Sequence, residues 1–161
     1  MIARRDGRAV HEAGHCLALL AEGGAIERVE VHAYPMRTAL DSALGHGPWY
    51  GRTWPAAGAV LSDEAAARFT MAGAVAVDLA VQAGQLARGE LAGLSCESDA
   101  QAVPAGHSRD WLKKQAAATV RLLRAHLDDL IRLADELQER SAMTGEEIGT
   151  FLRRRRWPSR T

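Results

Sequence analysis

The chain has no excess of either charge: Lys plus Arg and Asp plus Glu stand at 20 each in 161 residues. A balanced chain exerts no net pull on nucleic acid or anionic lipid, so any such role has to sit in a local patch. Long hydrophobic runs are also missing. The most apolar window, 71–84, carries Asp78 and falls short of the roughly 20 residues a membrane span needs. Residues 1–6 lack the apolar stretch of a secretory signal. Cysteine is scarce, and Cys16 and Cys96 lie far apart with no close-spaced pair, which fits a reduced, cytoplasmic protein better than a disulfide scaffold. There is no internal repeat and no low-complexity tract. What remains, 47% apolar and 25% charged residues in 17.3 kDa, is the composition of one ordinary globular domain.

Apolar or half-apolar side chains at Val10, His15, Leu17, Leu19 and Leu20, with Gly23-Gly24 as a stop, predict a first helix over about 6–22. Val29 to His32 alternates and runs on to Tyr34 before Pro35, predicting one short strand exposed along an edge. Residues 35–60 hold Pro35, Pro48, Pro55, Gly45, Gly47, Gly51 and Gly58 and read as irregular. Loops of that length are uncommon in compact domains and are often functional, which makes Trp49, Tyr50 and Trp54 candidates for lining a substrate pocket. Ser62-Asp63-Glu64 has the form of an N-cap with first-turn acids. It opens a helix to about 89, in which the small residues Ala72, Gly73, Ala74 and Ala76 admit a second helix at close range. Pro104 and Gly106 interrupt the next stretch. Leu112, Val120, Leu123, Leu127, Leu130, Ile131, Ala134 and Leu137 then predict one long amphipathic helix over 109–140. Thr144 with Glu147 has capping-box spacing and opens a terminal helix through Ile148, Phe151 and Leu152. The expected fold is mainly α (α+β): a single domain over 1–152 with a small β element after the first helix, and a basic tail over 153–161. Arg153 to Arg156 in that tail read as a solvated end that complements a helix C-terminus, rather than as a nucleic-acid arm.

The chemistry is concentrated at His11-Glu12-Ala13-Gly14-His15. Residues four apart share a helix face, so both imidazoles reach one metal ion while Glu12 stands beside an open coordination position. With 6 His and 11 Glu in the chain, this pattern arises by chance roughly 1 to 2% of the time. Gly14 costs a helix on the order of 1 kcal/mol relative to Ala and so asks for a packing or functional reason, which a metal lying close to the helix would supply. Two imidazoles do not complete a catalytic zinc site, so a third donor must come from elsewhere. Asp99, Asp78, Glu97 and, less readily, His107 are the candidates.

From HEAGH onward the sequence resembles the peptidase domain of the FtsH-type AAA proteases. Val29-Glu30-Val31 and Ala43-Leu44-Gly45 look like the strand and the "ALG" element that follow the zinc motif in that family. Ala72 to Leu79 is similar to its small-residue helix, and Ser98-Asp99-Ala100-Gln101-Ala102 to the segment carrying the third zinc ligand. Leu122 to Leu127, Leu133-Ala134 and Gly145 to Ile148 resemble its closing helices. Together these span roughly 10–152 in the family's order. The resemblance implies a helical, zincin-like domain with His11, His15 and Asp99 as Zn2+ ligands and Glu12 as general base. Asp78 is then a partner for an imidazole, or a rival third ligand. Val77 and Ala74 depart from the family's pattern, standing where it commonly has Glu and Arg.

The expected activity is that of a zinc-dependent endopeptidase, ATP-independent by itself, acting on polypeptide that adds to the edge strand Val29–Tyr34. The family's ATPase module and membrane anchor do not appear in this sequence, so the expected substrates are peptides, flexible segments or unfolded chains. A separate ATPase partner would be needed for folded ones, and neither nucleic acid nor membrane is expected as a partner. The alternative is a zinc-binding interaction module without turnover that partners a larger protease or ATPase assembly. The intact Glu12 weighs against it, since a structural zinc needs no base beside it.

Overall fold

The computed structural model describes residues 5–58, 60–91, 99 and 102–153. The first helix, α1 (Gly7–Ala21), starts at Asp6, whose carboxylate accepts the Arg8 N–H at 2.9 Å. A side-chain cap of this kind satisfies one of the orphan donors at a helix start. Every residue from Ala9 to Leu19 is buried, so α1 is no surface helix with a wet face. It is the central element, enclosed on all sides.

The strand after it, β1 (Ile26–Met36), pairs antiparallel on one side with β2 (Trp49–Pro55) and on the other with β3 (Ala142–Thr144), giving the order β2-β1-β3. The expected edge strand is therefore the middle strand. Val29 pairs with both Thr53 and Met143. Pro35 is tolerated because the pairing with β3 ends at Glu30 and the register with β2 slips between Val31 and Met36, which leaves no ladder bond there for the missing N–H to make. The segment expected to be irregular holds β2 and a short helix, α2 (Ala39–Ala43). In α2 the acid points inward: Asp41 is 2% exposed, whereas Leu40 and Leu44 are 67% and 59% exposed. Asp41 closes a capping box with Thr38, accepts Trp49 Nε1–H at 3.0 Å and pairs with Arg52 at 2.9 Å.

Helix α3 (Asp63–Gln82) begins at the Ser62 cap as expected and stops short of the expected 89, at Ala83 and the left-handed Gly84. It crosses α1 closely. A Cβ on Gly14 would lie 2.6 Å from both the Ala72 carbonyl oxygen and the Ala76 Cβ. The glycine in the first helix thus has a packing reason, the close crossing of α3. Of the small residues on α3, Ala72, Gly73 and Ala76 are buried, while Ala74 is exposed.

The long helix expected over 109–140 is two: α4 (Arg109–Ala125) and α5 (Leu127–Arg140), broken at His126, whose N–H bonds the Leu123 carbonyl. No proline or glycine marks the break. The halves serve different neighbours, α4 lying along α3 and α5 along α1. The α4 interface includes the buried Gln115 and Thr119, with Arg68 Nε donating to Gln115 Oε1 at 2.9 Å. The face of α5 is aliphatic: Leu130, Leu133, Ala134 and Leu137 are fully buried. Helix α5 ends at Ser141 in the left-handed region (φ 64°), and Ser141 then offers its carbonyl to the Val31 N–H. The capping box at Thr144 forms in both directions with Glu147 and starts α6 (Gly145–Arg153). The tail beyond Arg153 and Cys96 lie outside the described residues. Among the described residues no helix is long and apolar enough to cross a membrane.

Candidate metal centre

Because α1 is enclosed, the side chains of its motif are buried: His11, Glu12 and His15 are 8%, 5% and 5% exposed. A buried imidazole or carboxylate needs partners, and the fold supplies them from three separate places.

The His15 ring is held by Phe69 on α3, whose carbonyl oxygen lies 2.7 Å from Nδ1. A carbonyl only accepts, so Nδ1 carries a proton, and in the neutral ring Nε2 is the nitrogen left with a lone pair for a metal. Fixing the outer ring nitrogen in this way is how proteins orient a metal-binding histidine. The His11 ring lies against the backbone of Gly73, where a Cβ would come within 2.4 Å of Cε1 and Nε2. On α3 nothing larger than glycine leaves that ring its place. The two Nε2 atoms stand 3.0 Å apart, with Asp99 Oδ2 at 2.9 Å from that of His11 and 3.4 Å from that of His15. Asp99 arrives from 88 positions further along the chain.

This triangle fits zinc. Bonds of about 2.0 to 2.1 Å in a tetrahedron place neighbouring donors roughly 3.3 Å apart, close to the 2.9 to 3.4 Å found here. Two neutral imidazoles and one carboxylate are also the donor set of catalytic zinc, which keeps a fourth position open. Burial raises the Asp99 carboxyl pKa, but the hydrogen bonds and positive charge that His11 and His15 give it when protonated outweigh burial and hold the group well below the usual carboxylate range. The acid is ionised at neutral pH, as a ligand must be.

Glu12 is placed by β2. Thr53 Oγ1 donates to Glu12 Oε2 at 2.8 Å, and a Cβ on Gly51 would lie 2.8 Å from Glu12 Cγ and Oε1. Cys16, one turn on from Glu12, is packed beneath this contact with Sγ 3.8 Å from Thr53 Oγ1. Burial pushes its thiol pKa far up, so it is inert filler rather than a nucleophile.

The other candidates lie elsewhere. Asp78 is exposed on α3 and outside the cluster. His107 bonds Asp63 at 2.7 Å and stacks on Trp111. Glu97 lies outside the described residues. His32 pairs with Glu30, and His46 stands 3.7 Å from Asp41, so neither joins the centre. Trp49 and Trp54 do not line it either. They meet edge to face on the side of the sheet that carries Arg52, with Arg28 over the Trp54 ring, and strand alternation turns Arg52 and Trp54 away from Glu12. Thr53 escapes a reading of the sequence because it sits among Pro and Gly punctuation; the β-formers Trp49, Tyr50, Thr53 and Trp54 were the available signal. A surface cavity of about 530 Å3 at the α4–α5 break, lined by Arg124, His126, Asp128 and Arg132 among others, contains none of the site residues.

No protein-family model matches the chain, and no curated protein matches it. The likeness to FtsH-type peptidases therefore rests on HEAGH at 11–15 and the collinear segments that follow it.

Proposed function

We propose that this chain is a zinc-dependent endopeptidase of the zincin type, with His11, His15 and Asp99 holding the metal and Glu12 as general base. The observation that carries the reading is the convergence of two imidazole nitrogens and one carboxylate oxygen within 4.8 Å of one another, with a buried glutamate adjacent in sequence to one of them. Zinc bound there supplies a Lewis acid that makes water a nucleophile near neutral pH and polarises the scissile carbonyl. Glu12 takes the proton of the attacking water and returns it to the leaving amide nitrogen, the acid–base role that a positioned carboxylate serves in hydrolysis. His15, with its tautomer set by Phe69, and Asp99, ionised between two imidazoles, hold the donor geometry.

An extended substrate adds to β2 and not to Val29–Tyr34. Among the described residues β2 pairs in the sheet only with β1, and it is the strand that touches Glu12. Main-chain recognition of that kind depends little on side chains and suits flexible or unfolded polypeptide.

The test is cleavage of an unfolded casein or a quenched peptide library by zinc-loaded protein beside its Glu12→Gln variant. Wild type cuts and the variant does not. If neither cuts although both bind zinc, the centre serves a zinc-dependent interaction module instead. His15→Ala and Asp99→Ala each weaken zinc binding, read by competition with a chelating dye.

A further inference from the structure

The proposed base has more freedom than its task allows. A glutamate side chain has three rotatable bonds, and ordering such a chain costs rotamer entropy. A base that swings out of line loses most of its effect, since a misplacement of about 1 Å in a catalytic geometry costs on the order of a hundredfold in rate. Something must therefore hold Glu12, and Cys16, which shares its face of α1 one turn on, has its thiol turned to Thr53 at 3.8 Å.

Beside this side chain β2 places two residues of its inward face. Thr53 Oγ1 gives its proton to Glu12 Oε2 at 2.8 Å and lies 3.4 Å from the Glu12 carbonyl oxygen, so one hydroxyl spans the backbone and the head of the same residue. Gly51, two positions before it, leaves space for the Glu12 Cγ and Oε1 atoms and no space for any side chain of its own. One carboxylate oxygen is thereby occupied by the hydroxyl, while Oε1 carries no bond from Thr53. Thr53 is itself fixed: it is buried, its backbone is paired with Val29 in the sheet, and its β-branched side chain is stiff about χ1.

We infer that Thr53 is the positioning residue for the general base: its hydroxyl locks the Glu12 rotamer and leaves Oε1 as the oxygen that exchanges the proton. The inference rests on the peptidase reading. Thr53 touches neither substrate nor metal, so its effect falls on the rate of the chemical step and not on binding. The sheet thus sets the catalytic geometry through one side chain of β2.

The experiment compares Thr53→Val, which keeps the shape and removes the hydroxyl, with Thr53→Ser, which restores it. In the zinc-loaded protein Thr53→Val lowers kcat about 10- to 100-fold, with KM and zinc affinity within about twofold of wild type, and Thr53→Ser recovers most of the loss. In metal-free protein the carboxyl carbon resonance of Glu12, assigned by its loss in Glu12→Gln, moves in Thr53→Val and returns in Thr53→Ser. An unchanged kcat in Thr53→Val overturns the inference, as does an unmoved resonance. A loss that falls on KM, or that Thr53→Ser shares with a lowered Tm, overturns it too and makes Thr53 a packing residue. If the resonance moves as expected but wild-type protein cuts nothing, the peptidase reading is what has failed, and the role in the reaction falls with it while the Thr53–Glu12 bond stands.

Discussion

Gly73 of α3 lies flat against the imidazole of His11, so close that a Cβ built on it would stand 2.4 Å from the ring's Nε2. A helix normally gains from replacing glycine by alanine, by up to about 1 kcal/mol. At this position the gain is unavailable without displacing the ring. Gly73→Ala therefore weakens zinc binding about 10- to 100-fold, the range seen when groups that orient metal ligands are altered, while helicity by circular dichroism is kept. Zinc affinity equal to wild type would show that the ring has room to move.

The α1–α3 crossing makes the same kind of demand at Gly14, where the obstacle is the body of the facing helix. The Ala72 carbonyl and the Ala76 Cβ both stand 2.6 Å from the missing Cβ, and neither is the end of a flexible side chain. Overpacking a tight interior costs about 1 to 3 kcal/mol, which exceeds the helix-propensity gain. Gly14→Ala lowers the midpoint of urea unfolding by the equivalent amount. A raised midpoint would mean that the two helices separate at little cost.

Asp41 gives the fold a defined acid sensitivity. Hydrogen bonds from the Thr38 side chain, from Trp49 and from the Thr38 backbone, opposed by burial and aided by Arg52, hold its carboxyl well below the usual carboxylate range. A group with a depressed folded pKa contributes stability that is fully present above its unfolded value and is lost as pH falls through the folded one. The wild-type Tm accordingly begins to drop below about pH 5. Asp41→Asn, which has no proton to gain, shows a lower Tm at pH 7 and a shallower decline on acidification. Parallel curves for the two proteins would remove Asp41 from this role.

Ser141 ends α5 with φ of 64°, in the left-handed region where a Cβ is penalised and glycine is the usual choice. No other non-glycine residue among those described has positive φ. Ser141→Gly keeps the bond from its N–H to the Leu137 carbonyl and relieves a left-handed strain of about 1 to 2 kcal/mol, of which the greater entropy of unfolded glycine cancels about 0.5 to 1 kcal/mol, so stability rises. A fall on denaturant unfolding would show that the serine side chain contributes something its backbone geometry does not reveal.

Local features of this protein follow from local rules. The spacing of His11 and His15 is one helical repeat, and 3.6 residues per turn puts them on one face whatever surrounds the helix. Ser62 and Thr144 cap α3 and α6 because a hydroxyl three residues ahead of an open N–H has its partner within reach in the chain itself. Tertiary structure decided the rest. Asp99 reaches the two imidazoles, 88 positions from His11, through packing that no periodicity encodes. Residues 49–55 are a strand despite Pro48, Gly51 and Pro55 because β1 offers them a ladder and Glu12 needs the space at Gly51. The helix over 109–140 breaks at His126 where its halves turn to different partners, α4 burying Gln115 and Thr119 along α3 and α5 burying leucines along α1. Sequence period reports which side chains share a face; which faces meet is settled only when the core closes, since burial and pairing are gained between segments and not within them.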